Sequence, residues 1–154
     1  MTTQQRSVVH NTFQIERQLA APPSKVYSYW AVPELKAQWF KGPEGWEEGP
    51  YLLDLRVGGS ERSSGSRDGG PVFRYEATFH EVVPDERIVS TYNMFMDDTL
   101  ISVSTSTVEL VPDGDGTRLT LTEQDAYLDG NENGADRSAG VTWHMDNLKA
   151  LLDG

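Results

Sequence analysis

The sequence predicts an α+β domain in which a curved antiparallel sheet of six strands wraps one long C-terminal helix. The first of three observations behind this is the stretch Gly134 to Asp153, GADRSAGVTWHMDNLKALLD, where Val141, Met145, Leu148 and Leu152 recur at helical intervals. His144 and Leu151 flank that stripe, and a helix of this length spans roughly 28 Å, about the width of a small domain. Secondly, apolar and polar residues alternate in the two-residue period of half-buried strands over much of residues 50 to 127. Lastly, a chain of 154 residues with 37% apolar and 24% charged content fits one domain able to bury a core without metals or disulfides. Residues 1–154 are therefore read as a single domain, with residues 1–7 as a frayed tail.

The elements follow in order. Val9, Phe13, Ile15 and Leu19 share one parity and predict a first strand facing a core; Arg17 shares it too. An inward guanidinium must meet acceptors, either a buried carboxylate or a ligand. Pro22 and Pro23 end that strand, and Ser24 is placed to cap a short helix carrying Val26, Tyr27 and Trp30. Pro33 stops this helix and opens a second over Pro33 to Phe40, with Leu35 and Trp39 four residues apart.

Gly42 to Gly45 is turn chemistry, and Trp46 follows in a loop. Leu53, Leu55 and Val57 then alternate as a strand up to Gly58 and Gly59, a pair that permits a bulge or sharp bend. The polar run Ser63 to Gly70 reads as a hairpin tip. Phe73, Tyr75, Ala77 and Phe79 alternate cleanly, and a turn at Pro84 to Glu86 leads into the partner strand, Ile88 to Met96. Ile101 to Val111, with Ser102, Ser104 and Ser106, is compatible with a strand but poor in large apolar groups, so it offers a polar wall. In the last strand, Leu119 and Leu121 share parity with Glu123 and Asp125, which would turn two acids inward.

These landmarks, taken together, resemble a known family. Ile15-x-Arg17, Ala21-Pro22, Val26, Pro33-Glu34 with Trp39-Phe40, Gly42-Pro43, Asp54-Leu55-Arg56-x-Gly58-Gly59, Glu86 to Val89 and Gly116 to Thr120 stand in the order seen in the Hsp90 ATPase activator homologue group. That group is part of the START-like, Bet v 1-like superfamily, and the resemblance runs from about Ile15 to Leu152. It implies the helix-grip fold, in the order β-α-α-β-β-β-β-β-α, with a cavity between sheet and long helix. One departure is that Gly140 precedes Val141 where many relatives carry Gly-Trp. The tryptophan here is Trp143, nearly opposite the apolar stripe, so an exposed indole is expected, either lying on the surface or making a homodimer contact.

Composition narrows the function classes. A net charge of −11, from 24 acidic and 13 basic residues, opposes nucleic-acid and anionic lipid surfaces. There is no cysteine, so thiolate metal sites and a cysteine nucleophile are excluded. No apolar run reaches membrane-span length, and the opening MTTQQRSVVHNT lacks a secretory leader, which points to the cytoplasm. His10, His80 and His144 lack metal-ligand spacing, and neither a nucleophile elbow nor a phosphate loop occurs, so no metal and no cofactor are expected.

A cavity wall is expected from Trp30, Trp39, Phe40, Tyr75, Phe79, Tyr92, Met94, Met145 and Leu148, with Arg17 and Glu123 as its polar members. Arg17 with Glu123 or Asp125 is the one acid/base candidate, set against a structural ion pair. The leading expectation is binding of a small apolar or amphipathic, lipid- or polyketide-like molecule. The enzyme alternative is a cyclase, dehydratase or isomerase using cavity acids. A third class, a cofactor of an Hsp90-type chaperone, comes from the resemblance alone and ranks last, since only a short tail precedes residue 8.

Overall fold

The computed structural model describes residues 5–154. Strand β1 (Val8–Leu19) leads into helices α1 (Pro23–Ala31) and α2 (Pro33–Lys36). Strands β2 (Glu47–Glu48), β3 (Leu52–Leu53), β4 (Ser60–Ser66), β5 (Phe73–Val83), β6 (Arg87–Met96), β7 (Thr99–Asp113) and β8 (Gly116–Leu128) follow, and helix α3 (Gly134–Asp153) closes the chain. The sheet is antiparallel and open, in the order β1-β8-β7-β6-β5-β4-β2, with β3 also pairing β4. The α+β helix-grip architecture is thus present, with eight strands rather than six because β2 and β3 add two-residue pairings beside β4. Of the tail expected over residues 1–7, residues 1–4 lie outside the described residues. Arg6 and Ser7 are held by Asp129, at 3.0 and 2.9 Å.

Two expectations about the middle of the chain are corrected. The strand expected through Val57 shrinks to Leu52–Leu53, because Arg56 N donates to Asp54 O and Gly59 N to Arg56 O, folding residues 54–59 into a turn. Gly58 has φ 80°, and a Cβ on Gly59 would fall 2.1 Å from Asp54 O, so both glycines are needed there. Of the run Ser63 to Gly70 expected as a hairpin tip, the first half belongs to strand β4, and the tip is the second half, closed by Gly70 N donating to Arg67 O at 2.8 Å. Small residues suit this strand because a tryptophan lies on it: a Cβ on Gly65 would sit 1.7 Å from Trp46 Nε1.

The core lies between the concave face of the sheet and the two halves of the helical layer. Leu19, Val26, Leu119 and Leu148 are fully enclosed, and Met145 and Leu152 carry the buried stripe of α3 onto Ile15, Leu121 and Trp39. Trp39 is held twice, by an edge-on contact with Trp30 at 4.6 Å and by its Nε1 donating to Tyr29 O at 2.9 Å. Register shifts between Phe79 and Glu81 and between Met94 and Phe95 bend the central strands, which gives the sheet its concavity. Among the described residues no helix is long and apolar enough to cross a membrane.

The C-terminal half of α3 is fastened to β1. Asp146 takes Arg17 Nε at 2.9 Å, Lys149 Nζ donates to Gln18 O at 2.6 Å, and Asp153 accepts Ala20 N at 2.8 Å. The N-terminal half meets the sheet at its first turn, where Gly134 lies against Asn11 of β1 and Arg137 reaches side chains of β6, β7 and β8. Its Asn133 cap accepts Asp136 N at 2.8 Å, and beyond that turn, from Arg137 to His144, the helix roofs a hollow.

Candidate functional site

The hollow encloses about 430 Å³, within the usual range for small-molecule sites. Its roof is the first half of α3, from Arg137 through Val141 to His144, with Trp143 at the mouth. One side is the chain after α2, Phe40 to Pro43, and the other is the sheet edge carrying Trp46, Tyr51 and Ser63 to Gly65. Phe73, Tyr75, Tyr92 and Met94 form the floor. The rings brace one another: Trp46 stacks on Phe73 at 6.0 Å, Tyr75 meets Phe40 at 5.1 Å and Tyr92 at 4.7 Å. A preformed aromatic wall of this kind costs a ligand little ordering entropy.

Below the floor a second space of about 70 Å³ lies among Trp30, Lys36, Trp39, Glu61, Phe79, Ser90, Glu123 and Met145. Phe40, Tyr75, Tyr92, Val141 and His144 border both spaces, so these residues form the partition. The single turn of α2 aims Lys36 inward. Its Nζ lies 4.7 Å from the Phe40 ring centroid and 2.6 Å from Glu61 Oε1, while Tyr51 donates to Glu61 Oε2 at 2.5 Å. Glu61 is wholly buried and Lys36 nearly so, a pair whose loss on one side would leave an uncompensated charge.

The polar end of the larger hollow is built around Arg137. Its Nη1 donates to Tyr92 OH and Ser104 Oγ, both at 2.8 Å, and to Glu123 Oε1 at 2.9 Å, with Asp125 Oδ1 at 3.3 Å. Its Nη2 reaches Ser102 Oγ at 2.7 Å and Glu132 at 2.8 Å, and its Nε reaches Glu132 Oε2 at 3.2 Å. The strand register explains the convergence. Asp125 lies opposite Ser104, Glu123 opposite Ser106, and Tyr92 opposite Ser104 on the other side, all on the concave face. The serines of β7 form the polar wall that its composition suggested.

Burial, with help from Asp125, pushes the Glu123 carboxyl up to about 8, against the opposing pull of Arg137. Burial raises the Tyr75 and Tyr92 hydroxyls well above their ordinary range. It also lowers the His144 imidazole. His144 Nε2 lies 3.0 Å from Lys41 O, a carbonyl that can only accept, so the proton sits on Nε2 and Nδ1 keeps its lone pair. Among the described residues, no group of three or more His, Asp or Glu is arranged to hold a metal ion.

The sequence-expected residues divide into five sets. Phe40, Tyr75, Tyr92 and Met94 line the larger hollow; Trp30, Trp39, Phe79, Glu123 and Met145 border only the inner space. Leu148 is core, and Asp125 lies beneath Arg137. Arg17 is on neither wall. The register of β1 on β8 sets Phe13 opposite Glu123 and Arg17 opposite Leu119, about 13 Å further along at 3.3 Å per residue, so Arg17 turns to Asp146. Arg17→Met should therefore leave ligand affinity unchanged and lower stability by at most about 1 kcal/mol, since its partner is largely exposed; titration and urea unfolding check both.

Sequence reasoning missed Arg137, Glu132, Trp46, Tyr51, Lys36 and Glu61. One signal was available: Arg137 is a cation in the first turn of a helix, where the macrodipole opposes it, so something else must hold it there.

Comparison with known proteins agrees with this fold. The chain matches the family described as activator of Hsp90 ATPase homolog 1-like protein over residues 20–153. No curated protein matches. A solved structure from Rhizobium leguminosarum is similar at 38% identity with TM-score 0.90, covering 96% of this chain and 97% of that one. A Rhizobium loti protein is 41% identical with TM-score 0.86, covering 94% and 98% respectively. An AHSA1-like protein from Aeromonas hydrophila, 23% identical with TM-score 0.67 over 91% and 90% of the two chains, shares the fold. The chain is a member of the Hsp90 ATPase activator homolog 1-like family, within the START-like superfamily.

Proposed function

We propose that this protein binds a small apolar or amphipathic molecule in the hollow between α3 and the sheet. The observation that carries the reading is the aromatic enclosure of about 430 Å³ beneath Arg137 to His144 of α3. A core built only for stability would close such a space, because aromatic surface left facing solvent forgoes the free energy of burying it. Trp143, 41% exposed, sits at the mouth with its ring 5.5 Å from that of His144, a placement that serves entry of a ligand.

The alternative, a cyclase, dehydratase or isomerase, draws on Glu123, whose raised carboxyl could deliver a proton near neutrality. It ranks second because Glu123 borders only the inner space, where Tyr92 and Arg137 already engage its Oε1 at 2.6 and 2.9 Å.

Native mass spectrometry of protein taken directly from cells tests the binding reading. The expected spectrum carries an adduct of a few hundred daltons that is released on denaturation. A bare mass, together with unchanged tryptophan emission across a panel of apolar compounds, would remove it.

A further inference from the structure

We propose that the hollow selects a cationic amphiphile, an apolar or aromatic body ending in an ammonium group, over the matching carboxylic acid. This rests on the binding reading and specifies its chemistry. An acidic ligand is held best by a desolvated cation, and the one buried cation that lines the hollow is committed elsewhere. All five N–H bonds of Arg137 have acceptors in Glu132, Glu123, Asp125, Tyr92, Ser102 and Ser104. The hydroxyls of Tyr51 and Tyr92 donate inward to Glu61 and Glu123, at 2.5 and 2.6 Å. Lys41 is exposed at the rim.

Acceptors, by contrast, face the space. Glu48, Glu132 and Asp136 line it; Gly42 N, Arg137 and Asn133 Nδ2 engage them, yet a carboxylate has about four acceptor positions, so capacity is left over on Glu48 and Asp136. Arg137 is itself outnumbered by the carboxyl groups around it, so the polar end of the hollow is not electropositive. The faces of Trp46, Phe73 and Tyr75 add the negative π-surface that attracts quaternary ammonium groups. The protein already places one ammonium against rings in this way, with Lys36 Nζ 5.2 Å from Trp30 and 4.7 Å from Phe40.

The test is calorimetric titration with three probes of matched size: phenylbutyl trimethylammonium, phenylpentanol and phenylpentanoate. Ionic strength is kept at about 0.15 M or higher, so that charges beyond about 8 Å are largely screened. The ammonium should bind at least about tenfold more tightly than the carboxylate, with the alcohol between them. Glu132→Gln, which releases an N–H of Arg137, should narrow that ratio, and so should Glu48→Gln; circular dichroism confirms that each variant is folded. Equal or tighter binding of the carboxylate overturns the proposal. So does a preference that persists undiminished in both variants, which would assign it to the overall charge of −11. If none of the three probes binds, the binding reading fails as well, a result distinct from reversed selectivity.

Discussion

Replacing Arg137 by methionine is expected to lower the stability of the fold by about 3–5 kcal/mol at neutral pH, the cost of removing one side of a buried charge cluster. The Arg137 side chain is 8% exposed, and its partners Glu123 and Asp125 are 3% and 0% exposed. Methionine occupies similar volume but leaves Asp125 and Glu132 without a cation and Ser104 without its donor. The loss exceeds anything expected from Arg17, the one arginine that the strand pattern turned inward, because water solvates Asp146 and cannot reach Asp125. Urea unfolding reads the difference directly. A drop below about 1 kcal/mol would show that the cluster is solvated in solution. Acid should shrink the loss, since protonating the carboxyl groups removes the charges that Arg137 offsets.

The second large effect is a dependence of stability on pH that runs through Glu123. Its folded carboxyl titrates near 8, whereas the unperturbed group titrates at 4.5. Between those values the folded chain holds a proton that the unfolded chain has released, so raising the pH favours unfolding. The stabilisation is complete below 4.5 and is lost as the pH climbs through 8. Glu123→Gln keeps the shape and the acceptor but cannot ionise. Relative to that variant, the wild type should lose about 1.4 kcal/mol per pH unit across the window. The comparison must be made against the variant because Asp129 and Asp153, whose carboxyls are held below their usual values, slope the other way at acid pH. Parallel profiles for the two proteins would mean that Glu123 is ionised throughout, which would also remove it as a proton donor in the enzyme alternative.

Both effects depend on groups that one-dimensional patterning treats very unequally. Glu123 and Asp125 were legible because they continue the parity of Leu119 and Leu121, and a period of two carries side-chain direction without knowledge of the neighbours. Their partner was not legible in the same way. Arg17 had the correct parity on an adjacent strand, but parity selects a face and leaves the position along the strand open, and the register placed it at the wrong end. Trp46 escaped for a different reason. It belongs to a segment with only two-residue strands, and its seat on Gly65 is a contact between residues far apart in the chain.

What the sequence by itself determined is the list of elements with their faces: a long helix with one buried stripe, alternating strands, two inward acids and a wall of serines. Those features follow from the local periods of the backbone, which repeat within a few residues and need no partner. Only the tertiary structure decided where α3 roofs a hollow, which arginine meets the acids, and that Lys36 and Glu61 find one another in the interior. Each of these is a distance between residues brought together by register and by the closing angle of a helix. Such quantities are set by packing of the whole chain, which no local repeat encodes.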